Sequence, residues 1–191
     1  EALDEILEWV EENKDGLIII DAVGALHPKE EAEKSSGERT IGGQSALVAR
    51  FCRKVVPLLA INNHALVVLN HEYVPILTTG GRPTIMTSGG AKLQYHKSLW
   101  VRLSKANQNL KEGENVVGFV VKAEIRKNKL ADTQMQSCEL DLRFGSGFSV
   151  TSDAFQVAFD EGKITKAKGG YFLSDKKLGR GIEAAKKEFA K

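Results

Sequence analysis

The chain has 191 residues, of which 42% are hydrophobic and 27% charged, with a formal net charge of +2. That length suits one well-packed domain with a small appendage, and the near-neutral balance excludes a globally basic surface as the means of holding nucleic acid. No apolar run approaches the ~20 residues of a membrane span and no signal peptide is visible, so the expected location is cytoplasmic.

The chain opens in helical rhythm. Leu3, Ile6, Leu7 and Val10 form an apolar stripe over 1–14, with Trp9 beside it and Gly16 as the stop. A start at Glu1 inside an amphipathic helix reads as a piece of a longer protein. Leu17-Ile18-Ile19-Ile20-Asp21 follows, four large aliphatics ending in a carboxylate. Such a run predicts a strand buried on both faces, the habit of a central parallel sheet. An acidic residue at the carboxyl end of that strand stands where open α/β sheets bind ligands, and where nucleotide hydrolases keep the carboxylate that holds Mg²⁺. The plainer alternative is a strand that stops at a capping Asp.

From His27 to Thr40 the chain is charge-dense and lacks apolar periodicity, which predicts an exposed, mobile loop. A helix is predicted over 43–62, with Leu47, Val48, Phe51, Val55, Leu58 and Leu59 facing inward and Pro57 kinking or dividing it. Ala65-Leu66-Val67-Val68-Leu69-Asn70 repeats the pattern of the first strand, so the two strands are expected to be parallel neighbours with a right-handed crossover. Residues 72–88 turn to loop chemistry around Pro75, Gly80 and Gly81, and a loop this long is usually functional or disordered. A short helix over 91–96, a strand over 99–103, a hairpin turn over 111–115, a strand over 116–126 and an antiparallel edge strand over 140–144 come next. The fold class is α/β, with a mixed sheet that is parallel early and antiparallel late. From Ser152 the tail changes character, with a helix near Phe155, a hairpin around Gly169-Gly170-Tyr171-Phe172 and a lysine-rich helix from Gly181. Cys52 and Cys138 lie out of metal-ligand spacing and read as reduced thiols. His27, His64, His71 and His96 show no metal-binding spacing either.

Taken in order, several stretches resemble RecA-type recombinases. The strand 17–21 with its following Ala25-Leu26-His27-Pro28-Lys29 turn resembles the family's acidic-strand motif. Leu69-Asn70-His71 resembles the strand ending in Asn-Gln, with His in place of Gln as in phage recombinases of the UvsX kind. Thr87-Ser88-Gly89-Gly90 resembles the close of the second DNA-binding loop. The runs 111–118 and 126–131 match bacterial RecA almost letter for letter, and the pattern over 162–181 resembles the start of its small carboxyl-terminal domain. The resemblance implies a RecA-like ATPase core over 1–150 and the start of a small α+β domain over 151–191.

It also implies roles. Asp21 would hold Mg²⁺ through water, and Asn70 and His71 would lie near the γ-phosphate of ATP, His71 donating a hydrogen bond to it. Read from the residues alone, the alternative for His71 is a surface histidine at a strand end. Lys127 and Lys129 flank Asn128, which in a strand puts both ammonium groups on one face. By the resemblance they reach a neighbouring subunit's ATP, as an arginine finger does; the alternative is an ordinary solvated edge. Phe144 and Gly145 match a position near the adenine. The loops 33–42 and 72–90 would face DNA, with Arg53, Gly89 and Gly90 as contacts and Lys34, Arg39 and Arg82 as basic candidates by location. Val74, Ile76, Leu77, Ile85 and Met86 would wedge between bases.

The departures are as informative. The phosphate-cradling loop Gly-x-x-x-x-Gly-Lys-Ser/Thr is absent from these residues, as is the family's water-activating glutamate. Gln94 stands where the family often has a lysine. The expected whole protein is an ATP-dependent strand-exchange recombinase of recombination and repair, filament-forming on single-stranded DNA and pairing it with double-stranded DNA. This segment alone would be inactive. The alternative readings are a nucleotide-independent DNA-binding or assembly module with a degenerate core, and a ring motor on the same fold.

Overall fold

The structure, a computed structural model, describes residues 1–28, 42–73 and 86–191. They form two compact units, Glu1–Lys97 and Ser98–Lys191.

In the first unit, helix α1 (Ala2–Glu12) buries Leu3 and Val10. It ends at Asn13 in extended backbone, and Asp15, not Gly16, takes the left-handed conformation at φ 57°. Gly16 is required for space instead. A Cβ there would lie 2.4 Å from Trp9 Cη2 and 2.7 Å from His64 Nδ1. Its N–H donates to His64 Nδ1 at 2.8 Å, while His64 Nε2 lies 2.9 Å from the Asn13 carbonyl oxygen. The turn after α1 is thus stapled to the turn before the second strand.

Strands β1 (Leu17–Ile20) and β2 (Ala65–Val68) pair in parallel, Ile18 opposite Leu66 and Ile20 opposite Val68. Between them come a 3₁₀ turn (Val23–Ala25) and helix α2 (Gly43–Ile61). That helix runs through Pro57 without dividing. The residue sits on the exposed side, where water can satisfy the carbonyl that lost its donor. Leu3, Val10, Ile20, Phe51 and Val55 make one core cluster, and Val23, Val48, Cys52 and Leu93 a second. Among the described residues β1 is covered on one face, where the expectation was both. Only Ile20 is buried, while Leu17 and Ile19 remain 61% and 60% exposed. Helices α1 and α2 cover one side of a two-stranded ladder, and period-two alternation turns Leu17, Ile19 and Val67 to the other. The short strands β3 (Glu72–Tyr73) and β4 (Met86–Thr87) pair antiparallel, and helix α3 (Gly90–His96) follows.

The second unit holds an antiparallel sheet in the order β5 (Leu99–Glu112), β6 (Asn115–Asn128), β7 (Ser137–Arg143) and β8 (Gly147–Phe148). Strand β5 extends well past residue 103, through the polar run Ser104 to Asn109. An outermost strand with one open side tolerates such residues, and the irregular register between Lys105 and Asn109 absorbs the misfit. Strand β7 pairs with β6 along its length and with the short β8 only at Leu142 and Arg143, so β5 and β8 are the outer strands and most of β7 has one paired side. Helix α4 (Val150–Asp160), the meander β9 (Ile164–Ala167), β10 (Gly170–Leu173) and β11 (Lys176–Gly179), and helix α5 (Ile182–Phe189) complete the unit. Ser149 caps α4 by accepting from the Ser152 N–H at 3.2 Å. Phe155, Ile164, Tyr171, Leu178 and Ala185 form its core. The rings of Tyr171 and Phe189 each meet Phe155 edge-on at 5.7 Å.

The fold is α/β. Among the described residues, however, the parallel and antiparallel ladders belong to four separate sheets and not to one mixed sheet. No helix among them is long and apolar enough to cross a membrane.

Candidate functional site

The first cluster of polar groups gathers at the carboxyl ends of β1 and β2. Parallel pairing puts Asp21 and Leu69-Asn70-His71 at the same end of the ladder. The Leu69 N–H donates to the Ile20 carbonyl at 2.9 Å and the Val23 N–H to the Leu69 carbonyl at 3.1 Å. Asp21 is exposed, at a cis peptide bond to Ala22. Mg²⁺ that arrives with a nucleotide asks for only one or two protein carboxylates, the phosphates and water supplying the rest. A single accessible Asp at a strand end fits that demand. Among the described residues no group of three or more His, Cys, Asp or Glu could hold a metal by itself.

Asn70, just past β2, reaches Ser88 at the end of the expected loop 72–90. Its Nδ2 donates to the Ser88 carbonyl at 2.8 Å, and its Oδ1 accepts the His71 N–H at 2.8 Å. His71 itself is exposed. Gly89 and Gly90 have φ of +85° and +72°, in the left-handed region, and Gly89 caps α3. A Cβ on Gly89 would lie 3.0 Å from Val23 Cγ1, and one on Gly90 2.9 Å from Ser45 Oγ. Both glycines therefore have a packing reason as well as a conformational one. Gln44, in the first turn of α2, was not marked by any sequence signal. Its Nε2 lies 3.1 Å, 3.2 Å and 3.0 Å from the carbonyl oxygens of Val23, Gly24 and Leu26. It ties the turn after Asp21 to the beginning of the helix that carries Arg53, which is exposed. Lys34, Arg39 and Arg82, most of both expected DNA-facing loops, and Val74, Ile76, Leu77 and Ile85 lie outside the described residues. Met86 is exposed on β4.

The second cluster stands on the antiparallel sheet. Lys127 lies opposite Trp100 near the end of β6, and the Lys129 N–H continues the ladder by donating to the Ser98 carbonyl at 2.8 Å. Partial burial, and then the like charge of Lys129, push the Lys127 ammonium below the ordinary lysine range. The second cause is the mark of two neighbouring cations, as the alternation of a strand requires. Phe144 and Gly145 sit in the turn between β7 and β8. Phe144 is exposed and meets Phe119 edge-on at 6.0 Å, and Gly145 has φ +76° with open space around it.

A family model for the RecA N-terminal domain matches residues 1–149. The protein RecA of Ureaplasma parvum serovar 3 is 33% identical over all 191 residues, which cover 56% of that relative. The RecA of Thermus thermophilus is 33% identical over 169 residues, 88% of this chain and 49% of the relative. That of Aquifex aeolicus is 34% identical over 171 residues, 90% of this chain and 49% of the relative. The chain thus spans about half the length of the curated relatives it matches. With a strand-end carboxylate, an Asn-His pair on the adjoining parallel strand and a Lys-Asn-Lys strand in the family's order, this chain belongs to the RecA family through its RecA N-terminal domain.

Proposed function

We propose that this chain is part of an ATP-dependent DNA strand-exchange recombinase acting in homologous recombination and repair. The observation that carries this reading is the 2.8 Å bond from Asn70 to the Ser88 carbonyl. It joins the strand end expected to meet a phosphate to the loop expected to meet DNA.

In this reading Asp21 holds Mg²⁺ through water, and His71 donates a hydrogen bond to the terminal phosphate. A shift of His71 on phosphate binding passes through Asn70 to Ser88-Gly89-Gly90 and reorders the loop against single-stranded DNA. Lys127 and Lys129 act on the nucleotide of an adjoining protomer in a helical filament, placing two positive charges where negative charge gathers. Phe144 and Gly145 border the adenine across the same junction. Arg53, Gly89, Gly90, Lys34, Arg39 and Arg82 serve the DNA, single-stranded first and double-stranded during exchange. Bound MgATP supplies the β–γ phosphate bond whose hydrolysis lets the filament turn over.

The test is ATP-dependent assembly on single-stranded DNA by the complete gene product, with hydrolysis followed in parallel. Assembly that needs ATP, with Lys127→Ala lowering DNA-stimulated turnover by about a hundredfold or more, is the expected result. Assembly indifferent to ATP would favour a nucleotide-independent DNA-binding module. Wild-type turnover in Lys127→Ala would remove the cross-protomer role.

A further inference from the structure

Asn128 sits between the two lysines and points away from them, and its surroundings are unusual for a strand end. Successive residues of a strand direct their backbone N–H and C=O groups to alternate sides. The Lys129 N–H goes to Ser98 on the β5 side, so the backbone groups of Asn128 face the β7 side. Strand β7 does not reach that far, since its first pairing is Ser137 opposite Glu124. Unpaired backbone groups at this step would fray the strand. The side chain of Gln134 takes the place of the missing strand. Its Oε1 accepts the Asn128 N–H at 3.2 Å, and its Nε2 donates to the Asn128 carbonyl oxygen. A side-chain amide has the donor and acceptor of a peptide group, and here it completes one step of the ladder.

The side chain of Asn128 secures the other half of the turn. Its Oδ1 accepts the N–H groups of Leu130 at 2.9 Å and Ala131 at 3.3 Å, and its Nδ2 donates to Thr133 Oγ1 at 2.8 Å. The chain then returns to the ladder, where Met135 N–H donates to Ile125 O at 3.1 Å and Ile125 N–H to Gln136 O at 2.8 Å. Five hydrogen bonds therefore converge on one residue, and both bonds of the Gln134 amide are spent on its main chain. The backbone that carries the two ammonium groups is fixed on both sides at once.

We propose that Asn128 and Gln134 are positioning residues which hold Lys127 and Lys129 in register for their action on a phosphate. This rests on the role of the lysines proposed above. A lysine side chain carries considerable rotamer freedom, so its charge is delivered to one place only if its backbone is held. A displacement of about 1 Å at a reacting centre is enough to cost about a hundredfold in rate.

The experiment uses the complete protein with single-stranded DNA and measures kcat and KM for ATP in Asn128→Ala, Gln134→Ala, Asn128→Asp and Lys127→Ala. Asn128→Ala is expected to lower kcat about tenfold or more, with KM for ATP within about twofold. Asn128→Asp keeps an oxygen for the Leu130 and Ala131 N–H groups and is expected to recover most of that loss. Gln134→Ala, at an exposed position, is expected to lower kcat severalfold at unchanged melting temperature. Amide exchange at Leu130 and Ala131 is expected to speed up in Asn128→Ala. Wild-type kcat in both alanine variants, with Lys127→Ala impaired, overturns the positioning role and leaves the lysine assignment intact. Wild-type kcat in Lys127→Ala overturns the lysine assignment itself. A loss in Asn128→Ala matched by a fall in melting temperature, and not recovered by Asn128→Asp, overturns positioning in favour of folding.

Discussion

The cluster around Phe155 closes on itself, whereas among the described residues the β1–β2 ladder is covered on one side. Both are built from large hydrophobic residues. In the first, two helices and a three-stranded meander surround the side chains, and Phe155 and Ile164 are each 1% exposed. In the second, helices α1 and α2 pack on one side, and among the described residues Leu17, Ile19 and Val67 have no such cover. Hydrophobic composition thus gives the tendency to be covered; the number of layers decides whether that tendency is met.

Three substitutions break or sharpen this contrast. The largest effect is expected from Phe155→Ala, which opens a cavity among Tyr171, Phe159 and Phe189 and costs about 3–5 kcal/mol. Urea unfolding followed by circular dichroism reads it, and a loss below about 1 kcal/mol would mean that this core is not closed. Next comes Gly16→Ala, whose Cβ would press on the rings of Trp9 and His64. It is expected to cost about 1–3 kcal/mol and to shift the fluorescence of Trp9. Unchanged emission and melting would show that the staple between the two turns is slack. Ile19→Thr keeps a β-branched side chain on the open side and is expected to change stability by no more than about 0.5 kcal/mol. A loss several times larger would reveal a cover over that face in solution.

A fourth expectation concerns pH. Hydrogen bonds from Lys187 and then Arg143 hold the Glu112 carboxyl below the usual carboxylate range. A group with a depressed native pKa contributes stability that is present above its unfolded pKa and lost as pH falls through the native one. Glu112→Gln should therefore lower the melting temperature modestly at neutral pH and leave it nearly unchanged in acid, which flattens the acid limb of the profile. An acid limb as steep as that of the parent chain would separate Glu112 from this response.

The parallel pair was legible because β-branched runs ending in Asp21 and Asn70 leave few other options, and the family motifs fixed their order. The cover over β1 was not, since a strand's composition does not state how many layers surround it. Strand β5 was read too short because Lys105, Asn107 and Asn109 look like a loop until the strand is known to lie at an edge. Among the candidate residues, Asp21, His71 and the two lysines stood out by residue type. Gln44 and Gln134 did not. An amide is chemically unremarkable in a sequence, and their partners are set by how a turn folds back, as much as 21 residues away for Gln44 and Val23.

Strand β6 is 14 residues long, and at about 3.4 Å per residue its ends are roughly 44 Å apart. Glu112 beside the tip is tied to Lys187 of α5 and, with Arg143, to the surroundings of Glu183, while Lys127 stands at the far end. One ribbon therefore has a moored end and an end that carries the two lysines, separated by more than the reach of any direct charge effect at physiological salt. A substitution at the moored end, such as Glu112→Gln, therefore reaches the proposed role of the lysines through the strand's backbone and not through its own charge.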